Sequence, residues 1–184
     1  MSRLQSVARS SLFVVSLALV MSHAGVALPR IARAASHLPP SFQGLGGLPT
    51  GAFRSQASGV SGDGSVVVGR SPFYDAELGQ SVSLPFIWDA TLGMRPVGTL
   101  PSGVTSAWAS DISDDGGTVV GYFVEPGAYT SRGFRHDVAS GSTVVIDPVL
   151  GDVTYAFGVS GDGSLVVGED HLFNTTQSLS LIHI

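Results

Sequence analysis

Short apolar runs bounded by turn residues recur along the chain. The clearest of them, Val66–Val68, follows the pair Asp63-Gly64. Asp-Gly is a leading signal for a two-residue hairpin loop with positive φ, and consecutive Val residues are typical of a strand that is buried on both faces. The pattern therefore predicts an antiparallel hairpin with strands at residues 57–61 and 66–69.

This hairpin pattern occurs three times, at residues 57–69, 109–121 and 156–168. Each copy has a Ser-x-Asp-Gly turn, followed by an apolar strand that ends in Gly. Self-similarity at a period near 50 residues indicates a solenoid or a propeller, in which stacked units bury a core that no single unit can bury alone.

Two further elements recur in register with the hairpin. A Leu-Pro element at residues 45–51 returns at 97–103, and a Phe-containing segment at residues 85–89 returns at 133–137. Each repeat therefore contains more than one strand pair.

The first repeat has four predicted strands, at residues 57–61, 66–69, 86–89 and 95–100. The segments of unequal length before the Phe strands are expected to be loops, because loops tolerate insertions. Four short antiparallel strands in about 50 residues are typical of a propeller blade. The predicted fold is all-β, with antiparallel four-stranded blades of a β-propeller that is truncated before ring closure.

The N-terminal residues 1–34 have the features of a secretory signal peptide. Two Arg residues precede an apolar run at residues 12–21, and Ala32–Ala34 offers a small-x-small cleavage site. Ser22–Ala24 is a rival cleavage site. An uncleaved anchor is the alternative, although the run is shorter than the roughly 20 residues that a membrane span needs. We expect export to the cell surface or the extracellular space.

Composition and charge exclude several functions. The chain has no Cys, which rules out disulfides, thiolate metal sites and Cys nucleophiles. Without residues 1–34 it keeps five Arg, no Lys and fourteen acidic residues, a net charge of −9. Such a charge repels phosphate backbones, so no nucleic-acid partner is expected. No membrane span is expected after the signal segment either.

Residues 35–178 are predicted to be the partial propeller. The repeat phase predicts a third Phe-x-Trp strand about 13–17 residues after Gly168, but the chain instead ends in Leu179–Ile184. That hexapeptide matches one reading frame of a common sequencing-library adapter. We expect residues 179–184 to be a sequencing artefact and the gene to continue.

The repeat resembles the HAF-repeat family of exported bacterial proteins. The resemblance rests on the core motif at residues 57–69, the Leu-Gly-x-Leu-Pro-x-Gly element at 45–51 and the Phe-x-Trp strand at Phe86–Trp88, and it covers about residues 42–170. The family's His-Ala-Phe is not kept, and His136 stands at the second Trp position. The resemblance implies an extracellular or surface-displayed propeller-like array without a known catalytic activity.

The repeated acids have two interpretations. Asp63, Asp115 and Asp162 each precede Gly, as expected if they shape the turn through their own backbone. Asp111 and Asp114 add to Asp115 in the second copy, and such oxygen ligands suit calcium. The other copies have no comparable group, so turn formation is favoured.

The repeated aromatic residues also have two interpretations. Phe86, Trp88 and Phe134 are expected to pack in the blade core, and a carbohydrate-stacking platform is the alternative. Trp108 aligns with Gln56 and Tyr155 in the other copies, so its position varies between repeats.

We predict a non-catalytic exported repeat scaffold for adhesion or partner binding, with an unidentified extracellular protein or glycan as its partner. The alternative is a propeller hydrolase or lyase that acts on extracellular glycans. Asp75 and Glu77 in one variable segment, and Glu125 in another, are the acids that break the repetition. No catalytic, cofactor-binding or metal-binding residue is assigned, and no cofactor is expected.

Overall fold

The computed structural model describes residues 41–49, 54–128, 130–149, 151, 153–172 and 178–183. The chain divides into two units before Phe42, and every described strand belongs to the second unit. The predicted signal peptide and its cleavage sites lie outside the described residues. The described part of the chain has no helix, and so contains no helix that could span a membrane.

The strands form three antiparallel sheets, each with its strands in chain order, which we call blades 1, 2 and 3. The predicted all-β fold with antiparallel four-stranded blades is confirmed for blades 1 and 2. Blade 3 has three strands among the described residues. Blade 1 contains β1 (Gln56–Val60), β2 (Val66–Asp75), β3 (Gln80–Asp89) and β4 (Gly93–Pro96); blade 2 contains β5 (Ala107–Ile112), β6 (Thr118–Val124), β7 (Ser131–Asp137) and β8 (Thr143–Ile146); blade 3 contains β9 (Val153–Val159), β10 (Val166–His171) and β11 (Ser178–His183).

The first hairpin loop is longer than the two residues, Asp63 and Gly64, that were predicted to form it. Gly64 has the predicted positive φ, 74°. However, the backbone of Ser61 donates to the carbonyl of Val66 over 2.9 Å, which closes a loop of residues 62–65. The Asp63 carboxylate bridges the two sides of this loop, because it accepts hydrogen bonds from the Ser65 amide at 2.9 Å and from the Ser61 hydroxyl at 2.7 Å. The prediction of a two-residue loop was therefore wrong.

Each blade has a Gly in its second strand at a position where the neighbouring strand leaves no room for a Cβ. A Cβ on Gly69 would lie 2.0 Å from the carbonyl oxygen of Gln56, and one on Gly121 would lie 1.9 Å from that of Trp108. The strand register shifts next to each of these Gly residues, as at a β-bulge. The repeated Gly therefore marks a close approach of two strands.

Two predicted boundaries in blade 1 were wrong. The fourth strand begins at Gly93, which has a φ of 71°, and ends at Pro96, so it does not reach residue 100. The segment of extra length between Gly69 and Phe86 is a continuation of the hairpin: β2 and β3 have ten residues each, against seven in β6 and β7. Inserted residues that continue a ladder of hydrogen bonds need not form a loop.

A strand lies where the repeat phase places the third Phe-x-Trp segment. In β11, Leu181 pairs with Gly168 as Phe86 pairs with Gly69 and Phe134 with Gly121. The strand position agrees with the repeat, whereas Leu stands in place of Phe.

The blades pack face to face in chain order. We call one face of each blade its front and the other its back; Val60 and Val67 lie on the front of blade 1, and Val68 lies on the back. The corresponding front residues are Ile112 and Val119 in blade 2 and Val159 and Val166 in blade 3, and the corresponding back residues are Val120 and Val167.

Each internal contact joins a back to a front. Val68 and Ile87 from the back of blade 1 share a buried cluster with Ile112 and Val119 from the front of blade 2. Val120 from the back of blade 2 shares a second cluster with Ala156, Val159 and Val166 from the front of blade 3. The core therefore lies between the blades.

Burial of the apolar second strand depends on its place in the stack. Thr118, Val119 and Val120 in blade 2 are all buried, as predicted for a strand covered on both faces. In blade 1 only Val68 is fully buried, and Val67 is half-buried. The prediction holds for the middle blade and was wrong for the front of the first.

Candidate functional site

One cross-strand pair differs in chemistry between the three blades. It lies next to the repeated Gly, on the back of each blade, where the first and second strands pair. The pairs are Gln56 with Arg70, Trp108 with Tyr122, and Tyr155 with Glu169.

Packing of blade on blade brings these pairs together. The Arg70 side chain donates through Nε to Gln56 Oε1 at 3.0 Å, and its guanidinium lies 5.5 Å from the centre of the Trp108 ring. A guanidinium at this distance is attracted to the negative face of an indole. The polar pair of blade 1 thus meets the aromatic pair of blade 2.

The aromatic contacts continue into blade 3. Trp108 and Tyr122 stack with centroids 5.0 Å apart, and Tyr155 meets the Tyr122 ring edge-on at 4.8 Å. Tyr155 in turn stacks on Phe157 at 5.8 Å. Such aromatic pairs contribute about 0.5–1.5 kcal/mol each beyond the area that they bury, so they fix these rings in place.

The rings and the Arg70–Gln56 pair border an open cleft of about 410 Å³, which we call the aromatic cleft. Phe157 is its most exposed ring, with 49% of its surface accessible. Among the described residues, no acidic side chain lines the cleft. Its lining residues are Gln56, Ser58, Arg70, Trp108, Ala109, Ser110, Tyr122 and Phe157.

Hydrogen bonds between first strands hold the three blades together beside the cleft. The Ser58 hydroxyl donates to the carbonyl of Ala109 at 2.5 Å. Asp111 accepts from the amide of Val159 at 3.1 Å. A Cβ on Gly59 would lie 3.1 Å from the Cα of Asp111, so this contact favours Gly. Asp111 therefore joins blade 2 to blade 3.

The cleft offers apolar surface and hydrogen-bond donors. Burial raises the pKa of Tyr122 above its ordinary value, the neighbouring Tyr155 adds to this, and Arg70 opposes it. The Tyr122 phenol therefore stays protonated at neutral pH. Phenol and guanidinium groups donate hydrogen bonds to a ligand, and nothing in the lining acts as a carboxylate base.

The repeated Phe residues are core residues. Phe86 and Phe134 are fully buried, which confirms the packing interpretation and contradicts a carbohydrate platform made from them. Trp88 is half-buried on the front of blade 1. His136, at the equivalent place in blade 2, is buried against Gly98 of the preceding connection and bonds to Thr143 Oγ1 at 2.9 Å.

The repeated acids form turns, as predicted. Asp162 accepts from the Ser160 hydroxyl at 2.6 Å and from the Ser164 amide at 3.0 Å, in the same way as Asp63. These hydrogen bonds, the Ser hydroxyl first, lower the pKa of Asp63 and of Asp162 to about 2. Within the described residues, no three acidic or His side chains converge as a metal site.

The acids that break the repetition lie elsewhere. Asp75 ends β2 and accepts from the amides of Glu77 and Leu78 at 2.9 and 3.0 Å, so it shapes the β2–β3 turn. Glu125 forms an ion pair with Arg132 at 3.1 Å. From Asp75 to Arg70, at the cleft, is five residues of strand, or about 16 Å.

Comparisons with known proteins add little to this description. No family model matches the chain, and no curated protein matches it. Twelve chains of solved structures align with it, two of which are described below. TolB from Acinetobacter baumannii is 19% identical with a TM-score of 0.49, over 78% of this chain and 31% of that one.

A protein described as TolB from Agrobacterium tumefaciens is 18% identical with a TM-score of 0.49, over 72% of this chain and 46% of that one. The chain spans less than half the length of either protein. At this similarity the alignments carry no argument about function, and the blade architecture follows from the chain's own strand pairing.

The cleft was not predicted from the sequence. A signal was present, because Gln56, Trp108 and Tyr155 align with one another and differ. The sequence did not show which residue of the second strand faces each of these three residues. Arg70 and Tyr122 are 38 and 14 residues from Trp108; strand pairing within blade 2 places Tyr122 against it, and stacking of blade 1 on blade 2 places Arg70 there.

Proposed function

We propose that the chain is part of an exported, non-catalytic repeat scaffold that binds a partner protein in the aromatic cleft. The observation that carries the proposal is a division of labour within the repeat. Residues that recur in all three copies build the turns and the core, whereas the large side chains of the cleft stand at positions that differ between the copies: Arg70, Trp108, Tyr122 and Phe157. The cleft has one Trp, one Tyr and one Arg among its eight lining residues, and these are the types enriched at protein-binding hot spots.

A protein ligand fits the cleft better than a sugar stacked on a ring. The half-buried Trp108 ring already contacts Tyr122 and the Arg70 guanidinium, which leaves less of it for a pyranose. Phe157 is open, and an apolar side chain of a partner can pack against it.

The alternative, a hydrolase or lyase acting on extracellular glycans, has less support. Glycoside hydrolysis ordinarily needs two carboxyl groups on either side of the scissile bond. The cleft has none, and Asp75 is engaged in the β2–β3 turn.

Export and family are part of the same proposal. Export is supported by the charged and apolar pattern of residues 1–34, and membership of the HAF-repeat family by the three registered copies of the core motif. Expression of the full chain in a bacterium, followed by fractionation and N-terminal sequencing, tests export. Retention of uncleaved protein in the cytoplasm would contradict it.

The binding proposal is tested by selecting displayed random peptides on the full chain. Trp88→Phe leaves Trp108 as the single Trp, so its fluorescence reports binding of each selected peptide. We expect Phe157→Ala to weaken binding by about tenfold or more, as for a hot-spot residue. Leu92→Ala removes an exposed apolar side chain from the β3–β4 turn and should leave peptide binding unchanged.

Peptides that bind equally well to both Ala variants would contradict the cleft as the site. Glycans on an array whose binding is lost in Phe157→Ala, with no peptide selected, would move the proposal from a protein to a carbohydrate ligand.

A further inference from the structure

Arg70, in the aromatic cleft, has no carboxylate beside it among the described residues. Two other Arg residues form ion pairs, Arg95 with Asp89 and Arg132 with Glu125. No such pair joins Arg70 to an acid in the described part of the chain, although the sequence has fourteen Asp and Glu residues. The positive charge of Arg70 is therefore not matched by a neighbouring side chain.

The half-buried Arg70 side chain is held where blade 1 packs on blade 2. Its Nε donates to Gln56 Oε1 at 3.0 Å within blade 1. Its guanidinium carbon lies 5.5 Å from the centre of the Trp108 ring of blade 2. An Arg that is already held in one position loses less conformational entropy when it binds a ligand.

The bond to Gln56 uses only one of the donors of the Arg70 guanidinium. A guanidinium has five N–H donors, and four of them are on its two terminal nitrogens. No described residue accepts a hydrogen bond from those two nitrogens of Arg70. Because they lie in one plane, they match the two oxygens of a carboxylate, which accepts two parallel hydrogen bonds from such a group.

Apolar surface lies beside this cation. Trp108, Tyr122 and Phe157 line the same cleft of about 410 Å³. A carboxylate that enters the cleft is partly removed from water, and its hydrogen bonds to a guanidinium are stronger where the local dielectric constant is low. Since the cleft is open, a peptide can continue past the guanidinium in both directions, which favours an acidic side chain over a chain end.

We propose that the partner segment bound in the aromatic cleft has an Asp or Glu side chain whose carboxylate accepts two hydrogen bonds from the Arg70 guanidinium, beside an apolar side chain that packs on the aromatic rings. The inference rests on the proposed function, because it names the chemistry of the partner that the cleft binds. The chain without residues 1–34 has a net charge of −9, which by itself attracts basic peptides. A preference for acidic peptides would therefore come from the cleft.

Selection of displayed random peptides on the full chain tests the inference. We expect the selected peptides to share an acidic residue near an apolar one. Synthetic copies that are acetylated and amidated at their ends carry no terminal charge. In these, replacing the peptide's Glu by Gln, or its Asp by Asn, should weaken binding by about tenfold or more, measured by calorimetry.

Variants of the chain show whether Arg70 recognises the acid. Arg70→Gln should weaken binding of the acidic peptide by a similar factor, and it should bind the acidic and amide peptides equally well. Arg70→Lys keeps the charge without the paired donors, so its preference for the acidic peptide should be intermediate. Arg54→Gln removes the same charge from an exposed residue outside the cleft lining and should leave the preference unchanged.

The outcomes separate this inference from the proposed function. Peptides that need Phe157 but bind equally well with and without their acid would overturn the inference and leave the proposed function standing. Peptides that bind the Phe157→Ala chain unchanged would overturn both. If Arg70→Gln weakens the acidic and amide peptides equally, Arg70 has only a structural role and the inference is wrong. Binding that requires a free C-terminal carboxylate in place of the acidic side chain would also overturn it.

Discussion

Blade 2 and blade 1 have the same strand order and the same repeated motif, yet they differ in how deeply that motif is buried. Blade 2 lies between two neighbours, and Val119 and Val120 are both fully buried. Blade 1 has a neighbour blade on its back, so Val68 is fully buried while Val67 is half-buried and Val60 is exposed. The motif therefore places apolar residues on both faces of every blade, and the position of the blade in the stack determines which of these faces a neighbouring blade covers.

Some requirements of the motif are independent of that position. Gly121→Ala in blade 2 and Gly69→Ala in blade 1 would both force a Cβ to about 2 Å from a backbone oxygen of the adjoining strand. We expect each to lower the free energy of unfolding by about 3 kcal/mol, measured by chemical denaturation. Gly44→Ala, where the added Cβ meets nothing, is the control. A loss in only one of the two blades would show that this strand pair depends on stacking.

Core truncation should separate the two blades. Val119→Ala removes two methyl groups from a fully buried site, and we expect a loss of about 2 kcal/mol. Val67→Ala, at the same place in blade 1, should lower stability by less than about 1 kcal/mol at low protein concentration. If the two losses are equal in a monomer, the front of blade 1 is covered within the chain.

The Gly residues of the turns allow a second comparison, in which the expected change in stability is smaller. Gly64 and Gly163 have φ values of 74° and 72°, where a Cβ costs about 1 kcal/mol. A Cβ at Gly64 meets nothing, whereas one at Gly163 would lie 2.5 Å from Thr118 Oγ1 of blade 2. Gly163→Ala should therefore lower the melting temperature more than Gly64→Ala does. An equal shift would mean that the third turn does not pack against blade 2.

Acid should lower the stability of the fold through His136 in blade 2. The equivalent residue in blade 1, Trp88, does not titrate. Burial lowers the pKa of His136, and Asp137 opposes this only in part. Because the folded chain holds His136 neutral, the unfolded chain takes up more protons below pH ~6.5, and stability falls as the pH is lowered through that value. His136→Gln should remove this slope. A slope that persists in the variant would have to come from another group.

The smallest effect is expected at the Asp of the first turn. Since the pKa of Asp63 is about 2, its ionised form stabilises the turn above pH ~3.8, and this contribution is lost as the pH falls towards 2. Asp63→Asn keeps the acceptor oxygen and should be nearly silent in thermal melts at neutral pH. A rise in stability with calcium that the Asn variant lacks would instead assign the carboxylate to a metal.

The sequence alone determined the local structure and the class of the fold. Asp-Gly and Ser-x-Asp predict turns, runs of Val predict buried strands, and a period near 50 residues predicts stacked blades, because each signal acts over a few neighbouring residues or recurs at a fixed distance. The predicted strands left residues 62–65 between them, but the sequence did not predict that all four form the loop, because this depends on the hydrogen bonds that the Asp63 carboxylate forms with Ser65 and Ser61.

Only the tertiary structure decided which faces are covered and where a cleft forms. Val67 and Val119 are the same residue in the same motif, and their burial differs because a neighbouring blade is present for one and not for the other. Trp108, Tyr122 and Arg70 become neighbours through the strand pairing of blade 2 and the stacking of blade 1 upon it. Contacts between repeats depend on the rotation from one blade to the next, which no pattern within a single repeat specifies.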